Sequence, residues 1–438
     1  MKLFRVFDTN RSGRPTPGKS TVVSVLDVGS SKTTCMIAKL TPRDHSAIPG
    51  RTHDVQIIGF GNQRSRGIKS GVVIDLDAAE RAIRLAVDAA EKMARMTIDS
   101  LIVNLSAGRL GSETFSAKVS LQGEVDVHDI GRVLSAGRAH SVQEGRTTVH
   151  SLPIGYALDG HRGIKDPRGM TGGQLGVDMH VVTADEAPLD NLELAINRSH
   201  LSIGAMVASA YGSGLATLVD DEAELGVVVI DFGAATTTMA VFLDGQFIHT
   251  DAIAIGGHHV TMDVARGLST SLESAERLKV LSGSALANAA DDGELLLVPP
   301  LGDEDRDAPN RLPRSALNRI IRARIEETLE LVRDRLNDSG FSTLVGRRIV
   351  MTGGASQLNG LCEASRRILA RNVRLGRPLG VKGLPEIARG PAYASSVGML
   401  IYPQIGGIER AGRKQQVYRA TGTEGPLGRF GRWFKESF

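Results

Sequence analysis

The chain has 438 residues, enough for about two domains or four smaller lobes, and its 41% hydrophobic content is ordinary for a globular protein with a buried core. A net charge of only +3 gives no basis for binding nucleic acid. The two cysteines, Cys35 and Cys362, sit in apolar segments without CxxC or Cys/His spacing, so a reducing compartment is expected and structural zinc is not; no run of about 18 apolar residues is available to span a bilayer.

Residues 1–20, MKLFRVFDTNRSGRPTPGKS, carry Lys2 and Arg5 but lack the apolar centre of a secretory signal, and are read as a disordered leader. Val22 to Ala38, VVSVLDVGSSKTTCMIA, predicts a buried strand, an acid, a small-residue turn and a second β-branched strand. A loop from Thr41 to Asp54 leads to the strand VQIIGFG and the Gly-rich turn SRGIKSGVV. Asp77 and Glu80 have the spacing of a capping box, ahead of a helix with Ala79, Ile83, Ala86, Val87, Ala90, Met93 and Ala94 on one stripe. LIVNLSAG gives another buried strand, Leu101 to Leu105. From Gly108 to Val182 the texture changes to short alternating stretches (ETFSAKVSL, TTVHSLPIGYAL, VDMHVVTA) with weak helical periodicity, which predicts a small α+β insertion.

A helix from Leu189 to Arg198 and a strand-like AMVASAYGSGL bring the chain to VVVIDFGAATTTMAVF. This segment repeats the first pattern: Asp231 falls on Asp27, Gly233 on Gly29, and Thr237-Thr238 on Thr33-Thr34. Met262 to Ser282 reads as helical, and Leu286 to Pro313 as an acidic loop with one apolar run, ELLLV. Ser315 can cap a long helix whose Leu317, Ile321, Ile325, Leu329, Val332 and Leu336 share a face, with Gly340 at its end. RRIVMTGGASQLNGL predicts strand, glycine turn and helix start; the folded body is expected to close at Tyr402-Pro403, before a polar linker from Gln404 to Glu424.

The chemistry lies in the turns. Around Gly29, Ser30 and Ser31 backbone N–H groups can approach phosphate oxygens; the hydroxyls and Thr33 add donors, and Lys32 adds positive charge. Asp27 would repel phosphate directly but can hold Mg2+ through water. One such turn is an ordinary tight hairpin; a second copy, Asp231, Gly233, Ala234, Ala235 and Thr236, points to two related domains facing a nucleotide. Between a strand and a helix, Gly353 and Gly354, followed by Ala355 and Gln357, give a backbone flat enough to lie against a nucleoside.

This ordered trio resembles the phosphate-1, phosphate-2 and adenosine motifs of the actin, Hsp70 and sugar-kinase superfamily. Within it the chain is similar to the bacterial cell-division FtsA family, through SRGIKSGVVIDLDAA, GIKDPRGMTGGQLGVDMHVVTA, the first hairpin, and IVMTGGASQLNGL with PAYASSVGML behind it. The resemblance implies an α/β actin-like ATPase fold: two ribonuclease-H-like domains around a nucleotide cleft, with an inserted α+β subdomain in place of the usual actin subdomain. The expected division is subdomain 1A over 21–107, the inserted 1C over 108–182, a return to 1A over 183–214, 2A over 215–261, 2B over 262–337, and 2A with a return to 1A over 338–403. It implies ATP with Mg2+ as ligand, and a match of Glu276 and Lys279 to an acid/Lys pair that meets adenine and ribose; on residues alone these are a solvated helical ion pair. It also implies self-association into filaments, the C-terminal peptide of the tubulin-like FtsZ polymer as a partner on the lobe from Met262 to Asn337, and later membrane-bound division proteins at the insertion.

One departure concerns turnover. Where the family has a glycine run, Thr and then Asp, this chain has Ala234-Ala235-Thr236-Thr237-Thr238; each Ala disfavours positive φ, and Thr238 removes a metal-side carboxylate. ATP binding is therefore expected, with at most weak hydrolysis.

The last residues, 425–438, read GPLGRFGRWFKESF. At 100° per residue Leu427, Phe430, Trp433, Phe434 and Phe438 fall within an arc of about 140°, with Arg429, Arg432 and Lys435 opposite. An aromatic face with basic flanks fits an interfacial helix on anionic phospholipid, at the cytoplasmic face of the inner membrane and, by the resemblance, at the division septum. A metabolite kinase of the same superfamily would need a catalytic Asp near the cleft and has no use for such a tail. An Hsp70-like chaperone would need a peptide-binding domain after Pro403. A pilus-assembly ATPase shares the fold and is distinguished by the tail.

Overall fold

The computed structural model describes residues 19–43, 51–106, 109–139, 143–301 and 309–405. The leader through residue 18, the linker from residue 406 and the aromatic tail lie outside the described residues. Two sheets form the frame, and each is built on the same plan. In the first, strands Thr21–Val28, Lys32–Pro42 and His53–Arg64 make an antiparallel meander, and Ser100–Leu105 and Ser202–Ala208 add in parallel beyond the opening strand. In the second, Val227–Phe232, Thr237–Leu243 and Gln246–Ile253 form the meander, with Arg348–Thr352 and Asn372–Leu375 in parallel beyond it. The first sheet gains one short edge strand, Val381–Lys382. The opening strands are nearly continuous apolar runs because both faces are covered: TVVSVLDV and VVVIDF are buried along most of their length.

Between the two sheets run helices Ser209–Thr217 and Ala394–Ile405, almost wholly buried. They cross at glycine: a Cβ on Gly398 would sit 1.6 Å from the Gly212 carbonyl oxygen. AMVASAYGSGL was expected to be strand throughout; it is strand only to Ala208 and then turns helical, since small residues let this segment pass close to its partner helix. Ala394–Ile405 carries Pro403 inside its last turn, so the body extends slightly beyond Tyr402-Pro403.

Spliced between Ser100–Leu105 and Ser202–Ala208 is a four-stranded antiparallel sheet, in the order Gly111–Glu124, Thr171–Asp185, Arg146–Leu158, His161–Ile164. A helix, Val127–Arg138, covers it, burying Val133 and Leu134 near Val177 and Met179. Weak periodicity hid this helix, but its start is chemically clear: Asp126 and Asp129 form a reciprocal capping box.

The second lobe carries helices Gly257–Gly267 and Leu272–Ser282, a small hairpin and the long helix Arg314–Asp338. The predicted helix from Met262 to Ser282 is thus two helices, broken where Ser269 takes positive φ and Ser271 caps the second. ELLLV is not loop, because Leu295–Val298 pairs with Asn310–Pro313. In the long helix all six expected core residues are buried and Gly340 follows its end at φ 75°, but Ser315 lies within the first turn and Pro313 holds the cap position. In the first lobe, Asp75 rather than Asp77 caps Leu76–Ala94, accepting from the Ala78 N–H, and Met93 is 52% exposed, off the buried stripe.

Candidate nucleotide-binding cleft

The two acid-bearing turns have the same local geometry. Asp27 stands opposite Thr34 and Asp231 opposite Thr238 in antiparallel register. Each turn is closed by the glycine N–H: Gly29 donates to the Lys32 carbonyl at 3.0 Å and Gly233 to the Thr236 carbonyl at 2.9 Å. Neither glycine has positive φ, nor do the residues between, so Ala234 and Ala235 fit the second turn without the backbone strain expected of them.

The acids are held by serines that sequence reading missed. Ser396 donates to Asp27 Oδ2 at 2.7 Å, and Ser213 donates to Asp231 Oδ2 at 2.6 Å. These serines lie on the two crossing helices, within two residues of Gly398 and Gly212. Local sequence gives no signal for them: superposing Ala210-Tyr211 on Ala392-Tyr393 sets Ser213 against Ser395, one residue short of Ser396. Withdrawal from water pushes the Asp231 carboxyl up to about 6; the Ser213 hydrogen bond opposes this, the nearby Asp27 carboxylate adds to it, and Lys32 opposes it. Two carboxylates close enough to repel, each with one oxygen fixed by a serine, suit a hydrated divalent cation between them.

The turns differ in their supports. In the first, the Gly71 N–H donates to Ser30 Oγ at 3.2 Å, leaving the Ser30 hydroxyl proton to donate elsewhere, and Ser65 N–H donates to the Ser31 carbonyl at 3.0 Å. The Lys32 ammonium donates to the Ala392 carbonyl and lies 4.3 Å from the centre of the Tyr393 ring, which carries its charge towards the adenosine-motif side. Thr33 Oγ1 donates to Ser65 Oγ at a long 3.4 Å. The second turn is stitched to the start of helix Gly257–Gly267: Gly257 N–H donates to the Gly233 carbonyl at 3.0 Å, and His258 N–H to the Ala234 carbonyl at 2.6 Å. Thr237 Oγ1 donates to the Ile255 carbonyl at 2.7 Å, whereas the buried Thr238 hydroxyl has no hydrogen-bond partner among the described residues.

The glycine pair meets the acid of the second turn. Gly353 has φ 90°, and a Cβ there would lie 2.4 Å from Asp231 Oδ1, so no other residue fits between Thr352 and the acid. Gly354 is exposed, and a Cβ on it would meet only Ala392 Cβ, at 3.7 Å. A single 3-10 turn, Gly354–Gln357, follows; the α-helix begins later, at Leu361, so the glycines do not abut its positive end as expected. Ala355 reaches the helix Gly257–Gly267 closely, since a Cβ on Gly257 would lie 2.6 Å from Ala355 Cβ. Against the same helix stands the Glu276–Lys279 pair: Lys279 Nζ donates to Glu276 Oε2 at 2.7 Å, Thr261 Oγ1 at 2.9 Å and the Gly257 carbonyl at 3.1 Å. Gln357 is exposed, its amide 3.3 Å from the Gly354 carbonyl. Close approaches and hydrogen bonds thus join Asp231 to Gly353, Ala355 to the helix Gly257–Gly267, and that helix to Lys279, while Lys32 reaches the same side through the Ala392 carbonyl.

Comparison with known proteins agrees with this architecture. The family model described as Cell division protein FtsA matches residues 228–398, and that described as SHS2 domain inserted in FTSA matches residues 107–183. Among solved structures, the chain is similar to a PilM-PilN type IV pilus biogenesis complex (TM-score 0.59, 15% identity, 89% of this chain and 99% of that one). It is also similar to MreB5 of Spiroplasma citri bound to ADP (TM-score 0.51, 11% identity, 87% and 96% covered). At these identities the likeness is one of fold: an actin-like ATPase fold with an inserted α+β unit. Sequence goes further. The chain is 30% identical to the cell division protein FtsA of Escherichia coli strain K12, over 94% of this chain and 97% of that one. With 58% identity to the cell division protein FtsA of Rhizobium meliloti over 97% of both chains, the protein belongs to the FtsA family of cell division proteins.

Proposed function

We propose that this protein binds ATP with Mg2+ between its two lobes and assembles on the cytoplasmic face of the inner membrane at the division septum. There it tethers FtsZ polymers and helps to recruit later division proteins. The observation that carries the nucleotide reading is the duplicated acid turn, with both carboxylates fixed by serines and that of Asp231 against Gly353. A nucleotide fits this donor set: Asp27 and Asp231 would hold Mg2+ through water, and the turns at Gly29 to Thr33 and Gly233 to Thr236 would meet phosphate. The flat Gly353 to Ala355 segment, Gln357, Glu276 and Lys279 would flank the nucleoside. Bound Mg2+ would supply positive charge that relieves the repulsion now felt by Asp231.

Nucleotide here chiefly sets a conformation for assembly, with hydrolysis weak. Thr238 occupies the place where a further acid would assist the metal, and its buried hydroxyl has no hydrogen-bond partner among the described residues. The membrane reading rests on the tail: its aromatic face and cationic flanks suit reversible binding to anionic lipid, which many copies on one filament would make firm. Family membership supports the FtsZ C-terminal peptide as occupant of the lobe over residues 262–337, and other division proteins and neighbouring subunits at the inserted unit.

Gly354→Val tests the nucleotide site without disturbing the fold, since its Cβ has room and its φ is ordinary. Calorimetric titration with ATP and Mg2+ should show affinity reduced by about tenfold or more at unchanged melting temperature. Wild-type affinity in the variant would contradict a nucleoside lying on this glycine.

A further inference from the structure

The inserted unit belongs by connectivity to the first lobe, since it is spliced between two strands of the first sheet, yet its hydrogen bonds reach the second. On its strand Thr171–Asp185, His180 is completely buried and lies against the edge strand Gln246–Ile253 of the second sheet. His180 Nδ1 is 2.8 Å from the Phe247 carbonyl oxygen, which can only accept, so Nδ1 carries the proton. Nε2 is then the acceptor for the Ser112 hydroxyl at 2.7 Å, and Ser112 Oγ in turn accepts from the Thr250 N–H at 3.2 Å. Every group in this relay is satisfied by the neutral imidazole, and burial holds it neutral, pushing its pKa down to about 3.

Phe247 also meets the helix that carries Ser213. Its ring stacks on Tyr211 with centroids 4.3 Å apart and an interplanar angle of 4°. Tyr211 lies on the helix Ser209–Thr217, two residues before the Ser213 that fixes Asp231. A separate contact ties the inserted unit to the start of this helix: His150 Nε2 accepts from the Ala208 N–H at 3.0 Å, and the His150 ring meets Tyr211 edge-on at 5.3 Å. A contiguous path therefore runs from Asp231 to Ser213 by a hydrogen bond, along the helix Ser209–Thr217 to Tyr211, and by ring packing and hydrogen bonds through Phe247 to His180 and Ser112.

We propose that Ser112 and His180 form a latch between the inserted unit and the second lobe, so that movement of the lobes about the cleft is transmitted to the inserted sheet. They are positioning residues: neither touches the candidate nucleotide site. The unit that presents surface to partners would then be set by the state of the cleft, which rests on the nucleotide reading given above.

Hydrogen–deuterium exchange on the full chain, with and without ATP and Mg2+, tests this. In the wild type, nucleotide should slow exchange at both acid turns and change it by about threefold or more in residues 171–185 and 246–253. In His180→Phe, which keeps an aromatic ring against Phe247, and in Ser112→Ala, the acid turns should still respond while the inserted strand no longer does. An undiminished response of the inserted strand in both variants overturns the latch, as does a wild type whose turns respond while its inserted strand does not. If nucleotide leaves the wild-type turns unchanged, the nucleotide reading fails by itself, and the latch is judged on the nucleotide-free protein. There Asp231→Asn should alter exchange of residues 171–185 in the wild-type background but not together with His180→Phe; equal change in both backgrounds overturns it.

Discussion

At the residue scale, Asp231 concentrates the electrostatics of the cleft. Its carboxyl is raised to about 6 by withdrawal from water and then by Asp27, despite the Ser213 hydrogen bond. A carboxyl raised on folding costs stability when it ionises, so the folded state loses stability as pH climbs from about 4 through about 6. The upper bound on that loss at neutral pH is about 3 kcal/mol. Asp231→Asn keeps an oxygen to accept from Ser213 and removes the charge. Urea unfolding of the nucleotide-free protein between pH 4 and pH 7 should therefore show a flatter profile for the variant, and greater stability than wild type at pH 7. A variant that parallels the wild type across this range would show that Asp231 ionises without penalty. The same variant should lose most of the ATP–Mg2+ affinity, because stability of the empty cleft and cation binding place opposite demands on this acid.

At the scale of elements, the crossing of Ser209–Thr217 with Ala394–Ile405 decides how the two halves meet. Adding one methyl at Gly398 would drive it into the Gly212 carbonyl, and the helices would have to separate. Gly398→Ala should destabilise the protein by about 1–3 kcal/mol, read as a lowered melting temperature, and should disturb both serine–acid contacts together. An unchanged melting temperature would mean that the crossing is looser than its geometry. The duplicated hairpins were legible in sequence because a buried strand, an acid and a small-residue turn leave a local pattern. The six-residue apolar face of Arg314–Asp338 was legible for the same reason. The crossing helices were not: AYGSGL is small and apolar on all sides, so periodicity cannot separate buried helix from buried strand. Nor were Ser213 and Ser396, whose roles come from a contact across 18 and 369 residues of chain. The helix Val127–Arg138 was missed because two glycines dilute its apolar face, although its capping acids could have marked it.

At the scale of the whole molecule, two copies of one sheet plan face each other, and the inserted sheet bridges them through His180 and His150. Under the proposed function, the nucleotide cleft, the inserted unit and the tail would be parts of one device in which the cleft sets assembly and assembly multiplies weak lipid contacts. No helix among the described residues is long and apolar enough to cross a membrane, and the proposed attachment rests on residues 425–438 alone. The central claim is tested by sedimentation with anionic liposomes, with and without ATP and Mg2+, for the full chain and for a chain ending at residue 424. The full chain should pellet with the vesicles, and more completely with nucleotide, while the shortened chain binds ATP normally and stays in the supernatant. A shortened chain that pellets as well as the full one, or a full chain indifferent to both lipid and nucleotide, would contradict the account.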